Sequence, residues 1–137
     1  MTTTQANSEA LNSVLRSIHQ ARAVMRSVEL AAAAQEDGAV SYSGDNGASR
    51  WGPAISFAVQ RIECVRDISI NSVSVDGVGL CSVAWYTPLA LLEALDAALW
   101  RGCGDSEKSM DAVELQAAAQ AVIEALETLA EECATVH

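Results

Sequence analysis

Two stretches of this chain place apolar residues in unbroken alternating steps of three and four. The first runs Leu11, Val14, Ile18, Ala21, Met25, Val28, Ala32. The second runs Ala112, Leu115, Ala119, Val122, Leu126, Leu129, Cys133, Val136. A helix with 3.6 residues per turn gathers such positions onto one side, whereas a strand, whose side chains alternate, scatters them. Each stretch therefore predicts a long helix with a buried seam, over 8–34 and 109–136. Leu15, Val24 and Ala31 widen the first seam, and Ala118, Ile123, Ala125 and Ala130 flank the second. A two-stranded coiled coil usually carries charges at those flanking positions. A wide apolar stripe asks for more than one neighbour, as in a bundle.

The middle of the chain supplies the neighbours. Pro53 suits the first position of a helix over 53–69, with Ile55, Val59 and Ile62 inward and Phe57 and Ala58 broadening the stripe. Thr87 and Pro88 read as the cap and first residue of a helix over 88–101. There Tyr86 would staple onto Leu91, and Leu91, Leu92, Leu95, Ala98 and Leu99 would be buried. The long helices measure about 40 Å each and the short ones roughly 24 and 21 Å. Laid end to end, the short pair matches one long helix. The expected fold is mainly α and four-helix bundle-like. The two heptad helices pair, and the short helices cover the remaining faces. Asp76-Gly77, between alternating valines, predicts a small β-hairpin over 72–84, with an irregular linker as the alternative.

The ends of these elements follow from single residues. Asn7 or Ser8 can cap the first helix behind a flexible tail at 1–6, and Gly38 can end it in a left-handed turn. Ser109 can cap the last helix, with Asp111 in its first turn. Residues 38–52 form a Gly-rich loop carrying Tyr42 and Trp51, which either anchor the loop on the core or bind a partner. At 137 residues the chain makes a single helical domain, long enough for a core without staples.

Charge narrows the partners. The net charge is −10, with six basic against seven acidic residues up to Asp67 and two against eleven from Ile68 on. Such a surface repels nucleic-acid phosphates and anionic membranes, so no direct nucleic-acid binding and no membrane association are expected. The first residues lack a basic start followed by an apolar run, and the longest uncharged stretch, 77–92, is broken by Gly, Ser and Pro. The expected location is the cytoplasm, with Cys64, Cys81, Cys103 and Cys133 as reduced thiols. Their separations match no zinc spacing, so no metal site is expected.

No catalytic residue and no cofactor-binding motif emerges. Lys108 is the single lysine, and Gly77-Val78-Gly79 is too short for a phosphate loop. His19 lies on the outer side of the first helix, and Cys133 sits on a seam without a basic neighbourhood. A charge pattern remains. Arg16, His19, Arg22 and Arg26 mark the outer side of the first helix, and Glu114, Glu124, Glu127 and Glu131 that of the last. Ordinary solvation explains both. The functional alternative is a homodimer, with Arg16, Arg22 and Arg26 of one copy on the acids of another. The leading expectation is a non-enzymatic helical protein that binds another protein. Glu114, Glu124, Glu127, Glu131, Tyr42 and Trp51 are its candidate contacts. One concrete subclass is a bacterial, phage or mobile-element inhibitor that blocks a basic nucleic-acid-binding surface of a defence complex. Two other classes stay open: a small-molecule binder or enzyme with a pocket at Trp85, Tyr86 and Trp100, and a structural subunit of a bacterial assembly.

Overall fold

The computed structural model describes residues 3–38, 48–68, 82–101 and 111–135. They form four helices: α1 (Thr3–Glu36), α2 (Ala48–Ile68), α3 (Ser82–Arg101) and α4 (Ala112–Thr135). Each helix packs against two others in the ring α1, α2, α3, α4, closed by α4 on α1. The α1/α4 interface is the most extensive of the four and α3/α4 the least.

Both seams are the core. Val14, Ile18, Ala21, Met25, Val28 and Ala32 of α1 are buried, as are Leu115, Ala119, Val122, Leu126, Leu129 and Cys133 of α4. Ile55, Ala58, Val59 and Ile62 of α2 and Leu89, Leu92, Leu95 and Leu99 of α3 complete it. Among the seam's flanking residues, Ile123 is buried, and Ala118, Ala125 and Ala130 are half-buried. That is what a helix wedged between two neighbours requires. Aliphatic and Ala side chains fill nearly all of this interior, so its stability rests on close apolar packing rather than on aromatic bulk.

Three expectations about element length are corrected. Pro53 and Pro88 do not open their helices; both lie inside them. Helix α2 starts at Ala48 and α3 at Ser82, so each is about 30 Å long rather than 21–24 Å. They do not share one helix's length end to end; each runs beside its own two neighbours. Thr87, expected as a cap, is an exposed residue within α3. Helix α1 already begins at Thr3, so residues 3–6 are helical rather than a tail. Of the hairpin expected over 72–84, residues 82–84 are the first turn of α3, and the remainder lies outside the described residues. No strand occurs among the described residues.

The helix ends show what stops them. Gly38 adopts φ 77°, the left-handed turn foreseen for it, and its amide donates to the Gln35 carbonyl. Helix α4 is capped by Asp111; Ser109, the cap expected from the sequence, lies outside the described residues. The Glu114 amide donates to Asp111 Oδ1 at 2.8 Å, and the Asp111 amide donates to Glu114 Oε1 at 3.3 Å. This reciprocal pair is a capping box built with Asp in place of Ser or Thr. It satisfies two amides at the start of α4, and the Asp111 cap contributes about 1 kcal/mol.

Candidate functional site

The outer face of α4 is built by its heptad. With Leu126 and Leu129 inward, Glu124 and Glu131 fall on the opposite side, and both are exposed. No basic residue stands between Ala112 and Thr135. The four glutamates foreseen as one acidic face separate into different environments. Glu114 holds the capping box at the helix start. Glu127 turns toward α1, where Arg22 Nε donates to Glu127 Oε1 at 3.0 Å. The two side chains are 47% and 46% exposed, so this bridge contributes at most about 1 kcal/mol. It marks which flank of α4 faces α1. Glu124 and Glu131 remain as the outward acids, and the Glu124 carbonyl accepts from Thr128 Oγ1 one turn on.

Two of the three arginines of α1 also pair within the chain. Arg22 pairs with Glu127, and Arg26 pairs with Glu29 three residues on. Glu29 is only 6% exposed, so its carboxylate is desolvated, and the adjacent guanidinium offsets part of that cost. Glu29 carries no motif that marks it in the sequence. Its place beside Val28 on the flank of the seam is the signal that α1 is buried over more than one strip there. Arg16 and His19 are exposed on the same helix.

Trp51 lies in the first turns of α2, half-buried against the core, so it anchors this segment rather than a loop. Tyr42 lies outside the described residues, as do the side chains of Trp85 and Trp100. Tyr86 is 62% exposed on the outside of α3, and it is not stapled into a buried contact.

The face of α3 turned away from the core is the feature that the sequence did not announce. Leu91, expected in the core, is 36% exposed, and Ala98, also expected there, is exposed. Together with Tyr86, Ala90, Ala94 and Ala97 they make an outer surface on which, among the described side chains, Glu93 is the one charged residue. Asp96 lies half-buried on the flank facing α2, where its Oδ1 accepts from Ser56 Oγ at 2.9 Å. On α2, Phe57 was expected to broaden the core stripe. It is instead 39% exposed, with the Arg61 guanidinium 5.1 Å from its ring centroid.

The thiols divide by environment. Cys64 is exposed, and Cys133 is fully buried. Burial, reinforced by the charge of Glu132, pushes the Cys133 thiol from 9.0 up to about 12. A neutral thiol in this place is a small apolar group rather than a nucleophile. Because its folded value is raised, the stability tied to the neutral thiol is complete below about pH 9 and is lost as pH rises toward about 12. Melting curves across that window should show the parent losing stability that Cys133→Ala does not lose. In peptide mapping after brief alkylation at neutral pH, Cys64 should be modified and Cys133 spared.

Among the described residues, no group of three or more His, Cys, Asp or Glu could hold a metal ion. No described helix is long and apolar enough to cross a membrane. No protein-family model, curated protein or solved structure matches the chain.

Proposed function

We propose that this chain is a non-enzymatic helical module that acts by binding another protein, with a partner surface that is basic. The observation that carries this reading is the outer face of α4. It displays Glu124 and Glu131 on a helix without one basic residue, in a chain of net charge −10. Acids on a rigid, well-packed helix present a fixed pattern of negative charge, which steers and orients a complementary partner. An inhibitor that covers a basic nucleic-acid-binding surface is one such role. The groups nearest to chemistry support the same class: the Cys133 thiol is held neutral, and Glu29 is paired with Arg26.

Self-association through Arg16, Arg22 and Arg26 is the less favoured mode, because Arg22 and Arg26 already serve partners within the chain. Of the pocket expected at Trp85, Tyr86 and Trp100, Tyr86 is the described side chain, and it is exposed.

The test is the double reversal Glu124→Lys with Glu131→Lys. Both positions are exposed, and neither holds the cap nor the Arg22 bridge, so the melting temperature should stay within a few degrees of the parent's. In paired affinity captures from host lysate, proteins retained by the parent should be lost with the reversed chain. Equal retention by both would reject the α4 acids as the contact.

A further inference from the structure

We infer that the opening stretch of α2, residues 48–52, is a hinged cover that swings at the Gly52–Pro53 joint and is latched onto the core by Trp51. Closed, it continues α2 as the structure shows it. Open, α2 begins at Pro53 and the rest of the bundle stays folded. Several local forces favour opening. Each helical amide bonds the carbonyl four residues back, so the amides of Ala54 and Ile55 tie this stretch to the rest of α2. Pro53 has no amide, and the bond that would reach the Ser49 carbonyl is missing at the joint. The proline ring also crowds a helical residue before it, and that residue, Gly52, is among the weakest helix formers. The first turn holds Arg50 and no acidic residue, which sets a cation at the positive end of the helix dipole.

A second start for the helix lies at the joint itself. Proline suits the first helical position, where no amide is needed, and glycine is an accepted cap before it. Pro53 is exposed, so its ring is not tied into the core. Beyond it α2 is held by Ile55, Ala58, Val59 and Ile62, all buried.

Packing opposes these forces. Trp51 lies half-buried against the core, and Gly52 is buried. An indole carries a large apolar area, so its contact with the core is what keeps the cover shut. Swinging it out uncovers the apolar surface beneath Trp51 without unfolding the bundle. The starts of α3 and α4 are built differently. Pro88 also stands inside its helix, but its ring is fully buried and fixes that joint. At α4 the capping box of Asp111 and Glu114 fastens the first turn. The inference is independent of the α4 acids and of any partner.

Amide hydrogen exchange of the full chain, read residue by residue by NMR in water and in urea below the unfolding transition, tests this. Opening frees the amides of Ala54 and Ile55 and leaves those of Val59 and Ile62 bonded. In the parent the first pair should be protected at least about tenfold less than the second. Its exchange should respond little to urea, because the opening exposes little surface. Ala118 and Ala119, at the matching positions of α4, should be as well protected as the rest of that seam. Pro53→Ala should slow exchange at Ala54 and Ile55 by about fivefold or more, by restoring the missing bond. Trp51→Ala should speed it by about fivefold or more, by removing the latch. Equal protection of the two α2 pairs would overturn the inference, and so would an equal response of both to urea. Weak protection at Ala118 and Ala119 as well would overturn it by reducing the effect to ordinary fraying. No change at Ala54 and Ile55 in Pro53→Ala would reject the joint, and none in Trp51→Ala would reject the latch. The parent and Pro53→Ala readings decide the matter even where Trp51→Ala fails to fold.

Discussion

Leu126→Ala should destabilise the chain by roughly 2–5 kcal/mol, among the largest losses available to a single truncation here. Leu126 is fully buried on the α4 seam, and its neighbours above and below, Val122 and Leu129, are buried too. Truncation removes the transfer free energy of the lost carbons and leaves a cavity. Ile18 and Met25 of α1, the helix packed most extensively on α4, are themselves fully buried, so a tightly filled core can close the gap only in part. Urea unfolding read by circular dichroism would show the midpoint fall with little change in slope. Val113→Ala is the matched control. Val113 lies on the same helix but is 53% exposed, so its truncation should change stability by about 0.5 kcal/mol or less. Equal losses at the two positions would contradict the burial of the seam.

Pro53→Ala should stabilise the chain, by about 1–3 kcal/mol. Pro53 is exposed and stands inside α2, with helix on both sides of it. There it withholds an amide from the carbonyl of Ser49 and presses its ring toward the same carbonyl. Alanine restores the bond and removes the clash. Part of the gain is offset because proline also stiffens the unfolded chain. The sign discriminates between two helix starts. A proline in the first turn loses nothing to its missing amide, so its replacement would be neutral or slightly destabilising. A thermal melt that fails to rise would place the start of α2 at Pro53. Pro88 is a different case. It is fully buried within α3, so its ring contributes packing that alanine would forfeit.

The contrast between the outer and inner helices shows what could be read from residues alone. The seams of α1 and α4 were legible from Val14 to Ala32 and from Leu115 to Cys133, because apolar residues in register leave one helical face to bury; Ala112 is only half-buried, and the side chains of Leu11 and Val136 lie outside the described residues. Gly38 was legible because few other residues accept its positive φ. The starts of α2 and α3 were misread. A proline at the head of an apolar stripe resembles a first turn whether or not helix precedes it, and here helix precedes both Pro53 and Pro88. The α3 surface was misread for a related reason. Its Leu and Ala residues occupy every side of the helix, so periodicity could not say which of them face water. Leu91 and Ala98 were placed inside for want of a polar face to oppose them. The division of the α4 glutamates was beyond reach, because it depends on Arg22, more than a hundred residues away in the chain.

That separation bears on how the molecule reaches its fold. The most extensive helix contact joins α1 to α4, the two elements furthest apart along the chain. While a ribosome is making the middle helices, the seam of α1 has no permanent cover. Closing the ring must meet the entropy of a loop spanning α2 and α3 before the main interface is gained. Such a bundle should fold more slowly than one whose strongest contacts are between consecutive helices. During that interval the apolar strip from Val14 to Ala32 is the part of the chain most exposed to chaperones and to misassociation with other nascent copies.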